Sequence, residues 1–282
     1  MLRRPENVQW GTQNACWEVH RLAAQVATLC TMTAKVTVDV DGAVRTITLN
    51  RPEKSNALDT EMLVALEEAF DPDPGPGADE RVAVIRSVGR VFCSGHDLSG
   101  GAGDLRNIEV LFRRVQHWPL PVVAVVQGAA IAGGNELALH SDFVVASETA
   151  RFGMSLAQIG LAPTWFLTRK LMEVGGPVLT REMLLLGDPV PAPRMAALGL
   201  IARCVPADDL DVEAGTVIDR LVRNAPLSLR AMKATINRQL DAYDLIEHDD
   251  TDVLVRAAMT SNDSKEGVQA RMEHRDAEFT NS

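Results

Sequence analysis

Residues 121–146 read PVVAVVQGAAIAGGNELALHSDFVVA, and this stretch limits the folds open to the chain more than any other. It joins an unbroken apolar run at 122–126 to a turn of small residues at 128–134, then to an apolar segment whose one carboxylate before the next strand is Glu136. A Val-rich run without alternation, bounded by Pro121 and Gly128, predicts a strand buried on both faces, as in a parallel sheet covered by helices. A helix starting near Gly133 leaves its first backbone N–H groups without intrahelical partners, and Ala132, Gly133 and Gly134 have almost no side chain to cover them. Such amides attract anions and developing negative charge. Glu136 falls in the first turn beside them. An acidic first turn also suits the helix dipole with no chemistry attached. Against that bland reading stands the cost of burying an ionised carboxylate among apolar neighbours, several kcal/mol unless the group is paired or used.

The chain is long enough, at 282 residues, for one large core or a core plus an appendage. With 28 Lys and Arg against 38 Asp and Glu, its net charge of -10 argues against a broad nucleic-acid footprint. No apolar stretch approaches the roughly 18 residues needed to cross a bilayer. The start, MLRRPENVQWG, lacks the apolar segment of a secretory signal. Cys16, Cys30, Cys93 and Cys204 show no CxxC or metal-type spacing, which predicts reduced thiols in a cytoplasmic protein and no metal site.

Residues 1–31 look unlike the rest of the chain and read either as an extension or as a helix docked on the domain; a natural domain start lies at Met32. Alternating runs at 36–40 and 44–49 around Asp41-Gly42 predict a hairpin. Asp59 or Thr60 caps a helix with Met62, Leu63, Leu66 and Phe70 on one face. The run 71–79, DPDPGPGAD, is a surface loop. Further strands are predicted at 81–87, 142–147 and 200–205, with an extended piece at 150–154. Helices are predicted at 107–117, 164–173, 180–186 and 192–198. From 208 on the pattern is wholly helical, over 210–223, 226–240, 245–259 and 265–279. Repeated strand-plus-helix units ahead of a helical tail predict an α/β fold with a helical appendage. The boundaries are an extension at 1–31, a core at 32–206 and a helical region at 207–282.

Two turns each offer a backbone N–H: that of His96, after Gly95, and that of Gly133. Both come after buried Val-rich strands, which can bring them to one end of one sheet. Paired amides aimed at a single oxygen form an oxyanion hole, and one such donor is typically worth about 10²- to 10³-fold in rate; the alternative is two ordinary strand-to-helix turns. Cys93, Ser94, His96 and Asp97 lie within five residues, but relay partners converge in space rather than in sequence, and Cys93 reads as a small core residue. Glu109, on the helix that flanks the expected pocket, is a further candidate partner for Glu136 in acid-base work, the alternative being a solvated helix face.

The order ITLNRPEKSNAL (47–58), VFCSGHDL (91–98), GAAIAGGNELAL (128–139) and SDFVVASETARFGM (141–154), with GLAP at 160–163, strongly resembles the enoyl-CoA hydratase/isomerase, or crotonase, superfamily. The resemblance runs from about residue 36 to the C-terminus. It implies a crotonase-type spiral of ββα units, a C-terminal helical region used in oligomerisation as a homotrimer or homohexamer, and an acyl-CoA thioester as substrate, with no cofactor beyond the coenzyme A of that substrate. By match to the family's motifs, His96 and Gly133 hold the thioester oxygen as it becomes an enolate. Lys54, Ala57 and Leu58, with Gly95, correspond to the part that holds coenzyme A. Glu136 matches the first of the two catalytic glutamates of family hydratases, whereas Leu156 stands where the second belongs. Thr164-Trp165-Phe166 replaces a common Gly-Gly-Thr. The implied activity is therefore acid-base chemistry by Glu136 beside an oxyanion hole, with ordinary hydration impaired. The alternatives are a thioester hydrolase or an acyl-CoA-binding protein that has lost catalysis.

Overall fold

Strand β3 (Val82–Ser87) and strand β4 (Val122–Val126) show why their sequences carry no polar alternation. Ala83 and Ile85 of β3, with Val122, Ala124 and Val126 of β4, join the larger apolar core on one side of the sheet. Val82 and Val84, with Val123 and Val125, join a second core on the other side. Each strand is covered twice, so these positions are apolar on both faces. A computed structural model of the protein describes residues 34–100 and 108–282. They fall almost wholly within one compact unit, Val36–Ser282. The extension expected at residues 1–31 lies outside the described residues.

The main sheet has six strands in the order β1-β2-β3-β4-β6-β9. Its first pair, β1 (Val36–Asp41) and β2 (Val44–Leu49), is the expected antiparallel hairpin, closed through Gly42 at φ 53°. All further pairings in it are parallel, through β6 (Phe143–Ser147) to β9 (Arg203–Val205). Helix α1 (Thr60–Ala69) is capped by Asp59, whose carboxylate accepts the Met62 N–H at 3.0 Å, and it buries Met62, Leu63 and Leu66 in the larger core. Helices α2 (Glu109–His117) and α3 (Gly133–Leu139) share that core. The opposite core is closed by α6 (Leu210–Arg223), through Leu210, Ala214 and Leu221.

The fold also contains a second, small sheet, built on the extended piece expected at 150–154 and on two short strands that local patterns do not predict. It pairs β5 (Ala129–Ile131) with β7 (Arg151–Gly153) in parallel, and β7 with β8 (Val190–Pro191) antiparallel. The two helices expected at 164–173 and 180–186 are present as the two arms of α4 (Trp165–Arg181), which meet at a sharp kink where Gly176 (φ 61°) leaves helical geometry before Pro177; the second arm continues through a wide turn over Glu182–Leu186. Helix α5 (Ala192–Ala197) precedes β9. The tail is α7 (Pro226–Leu240), α8 (Asp249–Thr260) and α9 (Asn262–Glu273). The expected helix at 265–279 thus begins earlier and ends earlier, because Ser261 caps Ser264 N–H and His274 takes a left-handed conformation. Lys233 ties the tail to the sheet: its ammonium, buried in α7, donates to Asp142 at 2.6 Å and to the Leu120 carbonyl at 3.1 Å. Among the described residues no helix is long and apolar enough to cross a membrane.

Candidate active site

The small sheet is what brings the two small-residue turns together. Cys93 bridges Ala130 in parallel, with Cys93 N–H donating to the Ala129 carbonyl and Ile131 N–H to the Cys93 carbonyl at 2.9 Å. The chain from Cys93 to Gly95 therefore runs alongside β5, and both turn at the same level. Gly95 has φ +94°, and a methyl on it would meet Ala132 Cβ at 2.9 Å, the Ile131 carbonyl oxygen at 3.0 Å and Gly133 N at 3.1 Å. A methyl on Gly133 would stand 3.6 Å from His96 N. The two expected amides are neighbours. Ala132, the residue that opens α3, is held at φ 48°, ψ −116°, a sparsely populated conformation for a side-chain-bearing residue. Its own N–H is taken by the Gly153 carbonyl at 2.8 Å. Among the described residues neither His96 N–H nor Gly133 N–H is donated to a protein acceptor, whereas on either side of His96 the Gly95 carbonyl accepts the Leu58 N–H and the Asp97 N–H donates to the Leu58 carbonyl.

These amides border a cavity of about 430 Å³, a size that suits a small organic group. Its walls are mostly apolar, formed by Ile108, Phe112, Met154, Leu156, Ile159 and Leu167 among others, and Met259 and Arg271 reach it from α8 and α9. Leu156 does face this space, so an isobutyl group occupies wall that a second carboxylate would need.

Glu136 falls in the first turn of α3, as the sequence predicts. It is fully buried and is not among the residues lining the cavity. From α3 it turns towards His140, one turn on, with His140 Nδ1 3.5 Å from its Oε2. His140 is stacked between Phe112 and Phe166, at centroid separations of 5.2 and 5.0 Å. Burial pushes the Glu136 carboxyl up to about 8, against the nearby charge of Lys170, and the charge of Glu109 adds to the rise. Burial, with Lys170, drives His140 well below its ordinary range. The two form a neutral pair rather than an ion pair. The neutral ring gives its Nδ1 proton to the Glu136 carbonyl at 2.8 Å, and among the described residues Glu136 Oε2 has no hydrogen bond. The carboxylate on the cavity wall is Glu109, the first residue of α2, and it accepts the Thr164 hydroxyl at 2.5 Å. The sequence offers Glu109 as a candidate partner but cannot separate it from a solvated helix face; here it lies on the cavity wall.

The expected coenzyme A segment is braced against the first turn. Leu58 N–H donates to the Gly95 carbonyl at 2.8 Å and Ser94 N–H to the Ser55 carbonyl at 3.1 Å. Buried Asn56 joins the Val88 and Val91 carbonyls, and Arg51 clamps Asp97 at 2.6 Å and the Ala57 carbonyl at 3.0 Å. Lys54 is exposed beside this loop. Leu58 is different: its side chain is wholly buried and both its backbone groups are used within the protein, so it steadies the loop and presents no side chain to a ligand. Cys93 is fully buried, and burial pushes its thiol up to about 12, which leaves no thiolate at neutral pH.

Comparison with known proteins adds an independent line. The sequence profile of the family described as enoyl-CoA hydratase/isomerase matches residues 39–282. A probable enoyl-CoA hydratase of Rhodobacter capsulatus is 33% identical over 258 residues, covering 86% of this chain and 96% of its own. An enoyl-CoA hydratase crystal structure from Mycobacterium avium superposes with a TM-score of 0.76 at 30% identity, covering 88% of this chain and 99% of the other. A methylmalonyl-CoA decarboxylase complexed with 2S-carboxypropyl-CoA gives a TM-score of 0.80 at 25% identity, over 88% of this chain and 98% of the other.

Proposed function

Because the chain belongs to the enoyl-CoA hydratase/isomerase family, we propose that it acts on an acyl-CoA thioester by stabilising an enolate, in the manner of an isomerase rather than a hydratase. One observation carries this reading: the N–H groups of His96 and Gly133, unpaired among the described residues, stand side by side on an apolar cavity that has a carboxylate on its wall and Leu156 where a second is required for hydration. In that arrangement the thioester oxygen accepts both N–H groups. A carboxylate takes a proton from C2 of a 3-enoyl thioester, and the C–H electron pair enters the carbonyl, leaving negative charge on the oxygen between the two amides. The carboxylic acid then returns the proton to C4, and the double bond moves from C3–C4 to C2–C3. Nothing is lost or gained. Two glutamates, Glu109 and Glu136, are near enough to the turn to be considered for this transfer. Lys54 and Ala57, beside Gly95, are proposed to meet the coenzyme A portion, the lysine ammonium suiting its phosphates. The apolar residues exposed on the tail helices support assembly as a homotrimer or homohexamer, and the free thiols of Cys93 and Cys204, among the described residues, suit a cytoplasmic enzyme.

Hydrolysis of the thioester through a cysteine is disfavoured by the burial and raised pKa of Cys93. The test is to incubate the protein with trans-3-hexenoyl-CoA and crotonyl-CoA. Conversion of the first to its conjugated isomer, with hydration of the second slower by about 10²-fold or more, is the expected result. Rapid hydration of crotonyl-CoA contradicts the reading, release of free coenzyme A that Cys93→Ala abolishes points to a hydrolase, and tight binding without turnover points to a binding protein.

A further inference from the structure

The two carboxyl groups near the start of α3 are not equivalent. Glu136 is fully buried and off the cavity wall, beside Asn135 and beside His140, whose ring is stacked between Phe112 and Phe166. Glu109 is part of the cavity wall, and among the described residues it is the one acid there. Its position is fixed from two sides. Ile108, the residue before it, reaches the oxyanion turn: its Cδ1 lies 3.1 Å from where a methyl on Gly133 would stand, so the start of α2 abuts the start of α3. On its other side Thr164, the N-cap of α4, donates its hydroxyl to Glu109 Oε1 at 2.5 Å. That hydroxyl is itself anchored, accepting the Leu167 N–H at 3.4 Å, so its direction is set by the helix end rather than by a free rotor.

We propose that Glu109 is the catalytic carboxylate that carries the proton between C2 and C4 of the bound thioester, and that Thr164 is its positioning residue. This rests on the enolate reading above and assigns the group that performs it. The walls around Glu109 are mostly apolar, with Leu156, Leu161 and Ala162 facing it, and among the described residues that line the cavity Glu109 is the one carboxylate that can carry the proton between C2 and C4. Glu136 is fully buried off the cavity wall, where burial pushes its carboxyl up to about 8 and keeps it largely protonated at neutral pH. Its place in this reaction is to complete the packing of α3, whose first residue carries one of the two oxyanion amides.

The experiment monitors trans-3-hexenoyl-CoA in D2O, reading the conjugated product by absorbance and deuterium at C2 and C4 by mass spectrometry, with hexanoyl-CoA affinity as a check that each variant folds. Glu109→Gln is expected to lower both readouts by about 10²- to 10⁴-fold while hexanoyl-CoA still binds. Glu109→Asp, which keeps the charge but withdraws it by one methylene, gives an intermediate rate. Thr164→Val lowers the turnover number more than it raises KM, and Thr164→Ser, which keeps the hydroxyl, recovers most of the rate. Glu136→Gln loses less than Glu109→Gln. The proposal is overturned if Glu109→Gln exchanges and isomerises within about threefold of the wild type, or if Glu136→Gln alone abolishes exchange. A wild-type protein that neither exchanges nor isomerises this thioester removes the enolate reading itself, a different result from any seen only in the variants.

Discussion

Glu136 and His140 lie 3.5 Å apart on successive turns of α3, both fully buried, and neither is charged at neutral pH. An ordinary glutamate titrates near 4.5, whereas burial holds this one up to about 8, so between those values the folded protein keeps a proton that the unfolded chain releases. The associated stabilisation is fully present below about pH 4.5 and is lost as pH rises towards 8. Glu136→Gln removes this titration while keeping the shape. Relative to wild type the variant therefore gains stability from pH 5 to pH 9, by on the order of a few kcal/mol. The opposite contribution of His140 is common to both proteins and cancels in the comparison. Thermal melts across that range check it, and a pH-independent difference in Tm would contradict it.

Gly95 has no room for a side chain. Alanine there is strained by the positive φ and collides with the Ile131 carbonyl and with Gly133 N, so Gly95→Ala is expected to cost about 1–3 kcal/mol of stability and to separate the two amides. Turnover should fall by about 10²-fold or more, since one oxyanion donor is lost from register. Steady-state kinetics on trans-3-hexenoyl-CoA, with melting as the control for folding, measures both.

Leu156 faces the cavity where hydration needs a second acid-base group. Leu156→Glu is therefore expected to raise crotonyl-CoA hydration by about 10-fold or more, within the range that general acid-base help supplies. Loss of absorbance of the conjugated thioester reports it directly.

Much of this fold can be read from the residues. The two-faced burial of β4, the hairpin at Gly42, the Asp59 cap and the helical tail all arise from local patterns that tertiary contacts reinforce. Of the small sheet only the extended piece at 150–154, which contains β7, can be read; its pairing with β5 and with the two-residue strand Val190–Pro191 cannot, because strands so short show no period. The kink of α4 reads as a gap, since Gly175-Gly176-Pro177 looks like a break from sequence alone. At the site, the neighbourhood of His96 and Gly133 is legible because glycine-rich turns after buried strands announce themselves. The orientation of Glu136 is not. One residue of helix rotates a side chain by about 100°, so whether a carboxylate enters a cavity or the floor beneath it depends on packing that no motif states.

Helix α7 carries Leu227, Met232 and Ile236 well exposed, while Leu229 on the same helix packs against the smaller core. Exposed side chains of this kind favour burial against another copy of the chain. The double variant Met232→Glu, Ile236→Glu is expected to shift the protein to monomer in sedimentation velocity, with the wild type sedimenting as a trimer or hexamer.

A single oxygen held by two amides is the centre of this chemistry, and the carbonyl of a bound thioester reports on that contact. Isotope-edited infrared spectra of [1-¹³C]hexanoyl-CoA, free and bound, should show the carbonyl stretch moved to lower frequency on the protein, and moved less on Gly95→Ala. A bound carbonyl that absorbs at the frequency it has in water, in wild type and variant alike, would contradict the two-amide contact.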